Sequence, residues 1–251
     1  MGGSARFRFH GNLEDHLPRE RRGRLLVHSF GLPASVKDLI EALGVPHPEV
    51  DFILANGEAV GFSYRVVDGD RIDVYPEALD ATRRLRPRPV PPVRFVLDEH
   101  LGRLARYLRL LGFDAWWHPG TDDDELARRS AADGRVLLTR DRALLKRGAV
   151  TLGTYVRDTD PQGQVVEVVR RFNLAGDLNP FTRCLVCNGR LEAVDRAEVA
   201  DRVPPAVGRS QARFSICPDC FRVYWEGSHH ERLSDLVERV RNCLGPSPEI
   251  Q

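Results

Sequence analysis

Two C-x-x-C pairs, Cys184/Cys187 and Cys217/Cys220, restrict the possible folds of this chain more than any other feature. They occur as Arg183-Cys184-Leu185-Val186-Cys187-Asn188-Gly189-Arg190 and Ile216-Cys217-Pro218-Asp219-Cys220-Phe221-Arg222-Val223-Tyr224, about thirty residues apart. A tight C-x-x-C turn lets two thiolates grip one tetrahedral Zn2+ while backbone amides support the sulfurs. Four thiolates leave no open coordination position, so the zinc expected here is structural. A redox pair is the competing reading. In a reducing compartment, four of five cysteines in such pairs argue for a metal rather than disulfides. Cys243 stands alone and reads as a half-buried small apolar residue.

The chain's 251 residues allow one large domain or two or three small ones. A hydrophobic fraction of 42% with 29% charged residues is the balance of an ordinary soluble globular protein. The formal net charge of +1 carries no information about a nucleic-acid partner, which only the distribution of charge would reveal. No apolar run of about eighteen residues exists, which argues against a membrane span. The opening stretch, MGGSARFRFHGNLEDHLPRE, lacks the apolar core of a secretory signal. A cytoplasmic location is expected.

Two breaks divide the sequence. Arg83-Arg84-Leu85-Arg86-Pro87-Arg88-Pro89-Val90-Pro91-Pro92 loses backbone donors to its prolines while its arginines repel one another, and reads as a stiff extended linker. A softer break lies at Asn173-Leu174-Ala175-Gly176-Asp177-Leu178-Asn179-Pro180. The expected segments are residues 1–80, a linker at 81–92, a central domain at 93–173, and a zinc ribbon with a C-terminal helix at 174–251.

In the first segment, Ala5-Arg6-Phe7-Arg8-Phe9-His10 alternates with the period of a half-buried strand, and Arg24 to Phe30 is a second candidate. A short helix is expected from Ser35 to Gly44, capped by Ser35 and ended by Gly44 or Pro46. Phe52-Ile53-Leu54, an Asn56-Gly57 turn, and a strand Arg71-Ile72-Asp73-Val74-Tyr75 entered through Asp68-Gly69-Asp70 follow. This order, with the phrase Val67-Asp68-Gly69-Asp70-Arg71-Ile72, resembles the ubiquitin-like β-grasp fold of small sulfur-carrier proteins. Such carriers are activated at a free terminal Gly-Gly. Here Tyr75-Pro76-Glu77-Ala78 runs on into the linker, so a docking or RNA-contacting module is expected instead.

The central segment opens with Val93-Arg94-Phe95-Val96-Leu97-Asp98, an apolar run suited to a parallel strand covered on both faces and ending in a carboxylate. Open α/β sheets present ligands at the C-terminal ends of such strands. Leu101, Leu104, Ala105, Leu108 and Leu111 fall at helical spacing, with Arg103, Arg106 and Arg109 expected off that stripe. Thr121-Asp122-Asp123-Asp124-Glu125 suits a helix N-terminus, yet three adjacent carboxylates repel one another and a divalent cation would relieve them. Gly134-Arg135-Val136-Leu137-Leu138-Thr139-Arg140-Asp141 repeats the strand-then-aspartate pattern, and Asp141 also suits a helix cap. Asp158 and Asp160, before Pro161, either complete an acidic cluster or form a turn. An oxygen-rich cluster of this kind suits Mg2+ or Mn2+.

Phe95-Val96-Leu97-Asp98, the run Leu101 to Gly112, Asp122-Asp123-Asp124-Glu125-Leu126 and Leu138-Thr139-Arg140-Asp141 together resemble the PIN-like Mut-seven C-terminal RNase domain family. That family joins its PIN-like part to a zinc ribbon, and some members carry an N-terminal ubiquitin-like module. The resemblance covers nearly the whole chain. It implies an α/β chain with a β-grasp domain, a central PIN-like parallel sheet flanked by helices, and a zinc ribbon. It matches Asp98 to the family's first-strand acid, Asp141 to the acid of its Thr-x-Asp motif, and Asp123 to the acid before the middle helix. Asp122 and Asp124 are close alternatives, and no fourth acid is placed. Trp225-Glu226-Gly227-Ser228-His229-His230 resembles another family phrase. Either histidine would replace a sulfur ligand, face RNA or occupy a surface turn, and a place near RNA is expected for His229.

The expected function is metal-dependent cleavage of RNA phosphodiesters by Mg2+ or Mn2+ held at Asp98, Asp123 and Asp141, with Arg103, Arg106, Arg109 and the linker arginines near phosphates. The RNA would be tRNA, ribosomal or another species, and the β-grasp segment offers a surface for a protein partner. The alternative is a catalytically silent RNA- or ribosome-binding protein on the same scaffold.

Overall fold

A computed structural model describes residues 2–78 and 81–244, without the side chains of residues 81, 228 and 229. In chain order the elements are β1 (Gly3–Phe9), β2 (Leu26–Phe30), α1 (Val36–Ala42), β3 (Phe52–Ala55), β4 (Glu58–Ala59), β5 (Arg71–Tyr75), β6 (Arg94–Leu97), α2 (Gly102–Leu110) and β7 (Asp114–Trp116). There follow α3 (Asp123–Asp133), β8 (Val136–Thr139), α4 (Arg142–Leu145), β9 (Gly153–Tyr155), α5 (Pro161–Arg171), β10 (Glu192–Val194), α6 (Arg196–Val199), α7 (Pro205–Ser210), β11 (Phe214–Ile216), β12 (Val223–Trp225) and α8 (Ser228–Leu244). This is the expected mixed α/β chain: an N-terminal sheet, central parallel strands flanked by helices, and a cysteine-bearing C-terminal ribbon. Its two compact units cut across sequence order. One takes the residues up to Val90 together with Asp122–Tyr155, the other Pro91–Thr121 together with the described residues from Val156 onward.

In the first unit the N-terminal strands form a sheet in the order β2-β1-β5-β3-β4, with β1 and β5 parallel and the other pairs antiparallel. The alternation in β1 works as predicted, with Ala5, Phe7 and Phe9 buried and Arg6 and Arg8 exposed. Each large apolar side chain buried here contributes about 1.5–3 kcal/mol. Val36, Leu39 and Ile40 of α1 close over this face, and Ser35 and Asp38 form a complete capping box at its start. Asn56 and Gly57 take positive φ values of 52° and 90°, which turns the chain into β4, a strand too short to betray itself by alternation. Asp70 is buried and accepts bonds from Asn56, Tyr64 and the Val67 amide, so the Asp68-Gly69-Asp70 phrase is a structural lock. The arginine half of the segment expected to be a stiff linker is tied to the first unit. The buried Asp51 carboxylate accepts the amides of Ala78 and Arg86 and stands 3.8 Å from the Arg84 guanidinium.

The same unit holds β8 and β9, a parallel pair, with all four residues of β8 buried. Helix α3 begins at the cap Asp122 and stops at Gly134, whose φ of 60° is a conformation that favours glycine.

In the second unit β6 and β7 form another parallel pair. The predicted stripe Leu101, Leu104, Ala105, Leu108 and Leu111 is buried throughout. Phe95 meets Phe113 and Phe172 at ring-centroid separations of 6.0 and 6.1 Å. Strands β10, β11 and β12 make an antiparallel ribbon whose small core is Val199, Val203 and Phe214. Cys243, expected half-buried, is exposed, because it lies on an outward side of α8. Among the described residues no helix is long and apolar enough to cross a membrane.

Candidate metal centre

The two cysteine pairs form matched knuckles. In the first, Cys184 N–H donates to the Gly189 carbonyl at 2.8 Å and Asn188 N–H to the Cys184 carbonyl at 3.0 Å. The second repeats this with Cys217 to Arg222 at 3.0 Å and Phe221 to Cys217 at 2.7 Å. Asn188 and Phe221, each the residue after its pair, turn back through positive φ values of 75° and 59°. A Cβ on Gly189 would stand 2.9 Å from Cys217 Sγ, so this position needs its missing side chain. All four sulfurs lie within 4.8 Å of one another, Cys184–Cys220 at 3.5 Å and Cys187–Cys217 at 3.3 Å. Tetrahedral Zn–S bonds of about 2.3 Å put sulfurs about 3.8 Å apart, so the donor set fits zinc.

Hydrogen bonding sets Cys184 apart from Cys187 and Cys220. Burial opposes charge on Cys184, but N–H bonds from Cys187 and Val186 and the Tyr224 hydroxyl outweigh it and bring the thiol down to about 6. Burial pushes Cys187 and Cys220 up instead. Tyr224 places its hydroxyl 3.1 Å from Cys184 Sγ and also accepts the Leu185 N–H at 3.1 Å.

The ribbon is bolted to the rest of its unit by side chains. Arg109, expected at a phosphate-facing position, is 3% exposed and lies inside the unit. Its guanidinium donates to the carbonyls of Ala115 at 2.9 Å and Trp117 at 3.4 Å, and to those of Leu185 and Val186 in the first knuckle at 3.3 and 2.8 Å. Burial lowers its pKa, partly offset by the nearby Cys184 and Cys187. Arg109 is therefore not placed to meet RNA: its planar fork is taken up by four backbone carbonyls. Its place inside the apolar run Leu108-Arg109-Leu110-Leu111 was the sequence signal for this. Asn188 adds two bonds, accepting Ala115 N–H at 3.0 Å and donating to Asp114 Oδ1 at 2.8 Å. Arg183 donates to Gly112 O at 3.1 Å, and Asn179 and Phe181 amides reach Leu111 and Leu110 carbonyls. The softer break at 173–180 is thus tied to α2. Asn188 and Arg183 were missed as functional positions, since nothing in the spacing marks them beyond their adjacency to cysteines.

The candidate acids stand at helix starts. Asp98 follows β6 and accepts Glu99 N–H at 2.6 Å. Asp141 follows β8, accepts Ala143 N–H at 2.6 Å and donates its own N–H to Thr139 Oγ1 at 2.8 Å. Asp122 caps α3 through Glu125 N–H at 2.8 Å. Asp160 caps α5 through Gln162 and Gly163 amides, and Asp158 accepts Asp160 N–H at 2.9 Å. Asp123 lies 3.3 Å from Arg147 Nη2, and Asp124 pairs with the same guanidinium. Arg128 and Arg129 bind Glu125 and hold its carboxyl below the usual range. Arginines therefore already relieve the repulsion that the sequence suggested a cation would relieve. Asp98 belongs to the second unit, Asp123 and Asp141 to the first. Among the described residues, the four cysteines are the one group of three or more ligand side chains gathered within 4.8 Å.

A family model described as the Mut7-C RNAse domain matches residues 93–237, more than half of the chain. The chain belongs to the Mut7-C RNase family. A second model, Mut7-C ubiquitin, matches residues 2–81, which are the strands and helix of the N-terminal sheet. No curated protein and no solved structure matches the chain.

Within this Mut7-C chain Arg103 and Arg106 are exposed on α2, as expected. Arg106 lines a cavity of about 870 Å3 beside the ribbon, together with Arg222, Tyr224, Trp225, Phe181 and His230. The His230 ring stacks on Phe181 at 4.2 Å. The side chain of His229, expected near RNA, lies outside the described residues.

Proposed function

We propose that this Mut7-C protein is a metal-dependent ribonuclease in which Asp98, Asp123 and Asp141 hold Mg2+ or Mn2+. The observation that carries the reading is the RNase-domain match across residues 93–237, within which Asp98 and Asp141 each follow the C-terminal end of a parallel strand. Carboxylates are the hard oxygen donors these ions prefer. The ion, when bound, supplies a water of lowered pKa and shields charge at the phosphodiester. Asp123 would trade its Arg147 contact for that role, with Asp122, Asp124, Asp158 and Asp160 as alternates. Arg103, Arg106 and the Tyr224–Trp225 cavity would hold RNA by phosphate contact and base stacking. The zinc is structural, because four thiolates close its coordination shell.

The working limits are residues 1–80, 81–92, 93–173 and 174–251, in a cytoplasmic protein acting on tRNA, ribosomal or other RNA, with the N-terminal module available to a protein partner. A silent RNA-binding scaffold is the second reading, favoured by the use of Asp98 and Asp141 as caps.

The test is incubation of mixed RNAs with Mn2+ or Mg2+ and the wild type, Asp98→Asn and Asp141→Asn proteins. Asparagine caps helices as well as aspartate does, so Asp141→Asn removes charge while sparing α4. Cleavage by the wild type alone supports the enzyme. Equal cleavage by all three marks a contaminating nuclease and sinks the reading, and RNA retention without cleavage establishes the binding protein.

A further inference from the structure

We infer that the N-terminal module positions Asp141 by holding both ends of the one-turn helix that Asp141 caps. This deepens the proposed function and rests on Asp141 being a metal-holding acid. Helix α4 has four residues, far too few to persist on its own propensity. Its first residue, Arg142, donates to the carbonyls of His16 at 3.1 Å and Asp15 at 3.3 Å. Both acceptors end the short 3-10 turn Gly11–His16 of the module. The residue after α4, Lys146, donates from Nζ to the Glu41 carbonyl at 2.6 Å, in the last turn of α1. Each cation therefore meets the carbonyl end of a module helix, where partial negative charge accumulates.

A third anchor fixes the neighbouring strand. Glu49, fully buried, accepts Thr154 Oγ1 at 2.6 Å and Tyr155 N–H at 3.0 Å at the end of β9, and lies 3.2 Å from His16 Nε2. His16 meets the Tyr155 ring edge-on at 5.5 Å, and Arg142 lies 5.4 Å from the centre of the same ring. His16, Arg142 and Tyr155 thus interlock the module, α4 and β9. A module tethered only by a linker would leave α4 to be held by its own Leu144 and Leu145. Instead the Asp141 carboxylate sits on a turn clamped at both ends by residues 15, 16 and 41.

Arg142 and Lys146 are positioning residues, and the test separates their role from the chemistry of Asp141. Hydrogen exchange is followed at residues 141–147 in the full chain, comparing wild type with Arg142→Ala/Lys146→Ala and with the milder Lys146→Met. Exchange at the α4 amides is expected to accelerate at least roughly tenfold, while β1 and β5 keep their protection. Unchanged exchange at α4 overturns the inference, whatever the activity. With RNA and Mn2+, kcat is expected to fall in the double variant with KM preserved, and Arg142→Lys to restore part of it. If Asp141→Asn is inactive while the double variant keeps wild-type kcat, the positioning role is lost and the ribonuclease reading stands. If Asp141→Asn cleaves normally, the catalytic reading of Asp141 fails first, and the exchange result alone then decides whether the module holds α4.

Discussion

The hydroxyl of Tyr224 lies 3.1 Å from the sulfur of Cys184, linking β12 to the opposite knuckle of the cysteine cluster. A hydroxyl that donates to a thiolate spreads its charge and fixes its direction, and outer partners of this kind alter metal affinity by about 10–100-fold. Tyr224→Phe is expected to retain one zinc per chain but to release it to a chelator at roughly tenfold lower competitor concentration. Unchanged competition curves would show that Tyr224 serves packing alone.

Arg109 and Arg106 lie three residues apart on α2 and should behave oppositely. Arg109→Lys cannot reproduce a fork that reaches four carbonyls, and is expected to lower unfolding free energy by on the order of 3 kcal/mol in urea titrations. Arg106→Ala is expected to leave stability within about 0.5 kcal/mol. It should instead reduce the salt dependence of RNA binding by about one phosphate contact. An RNA-binding defect in Arg109→Lys at full stability would reverse these assignments.

Glu49 is fully buried beside the buried Thr154 hydroxyl and the part-buried Tyr155 amide. Replacing it with alanine strips the Thr154 hydroxyl and the Tyr155 amide of their acceptor, and is expected to cost about 3–5 kcal/mol. Glu49→Gln keeps an acceptor oxygen and should lose less. Thermal unfolding of the two variants checks the order.

The capping box of α1 gives a pH signature. The Ser35 hydroxyl bond holds the Asp38 carboxyl below its ordinary 3.8, so folding is favoured by the ionised form. That contribution is complete above the unfolded value and is lost as pH falls through the lower folded value. Ser35→Ala is expected to cost about 1 kcal/mol at pH 7. The gap from wild type should narrow only in acid below about pH 4. The part owed to the Asp38 N–H bond to the Ser35 hydroxyl persists, and a gap of unchanged size down to pH 2 would show that the bond to the carboxylate contributes nothing.

Much of this is legible in the sequence. The period-two pattern of β1, the stripe on α2, the unbroken apolar run of β8, and the caps at Ser35 and Asp122 are local consequences of side-chain direction and of unpaired helix-end amides. The C-x-x-C spacing likewise identifies four ligands, because a knuckle is a local turn. Strand β4 is not legible there because two residues carry no period. Arg109 was misjudged because amphipathic counting treats every arginine as solvent-facing.

Sequence alone settled the strands and helices with a clear period or cap and the four cysteine ligands, since each depends on neighbours within a few residues. Tertiary structure decided which polar groups meet: Arg109 with the knuckle carbonyls, Arg147 with Asp123, Glu49 with β9, and Arg142 with the end of a turn more than a hundred residues earlier. The pairings of Arg109 and Glu49, both buried, follow from desolvation. A buried charge or amide must find a partner wherever the chain brings one, and no local pattern records where that will be.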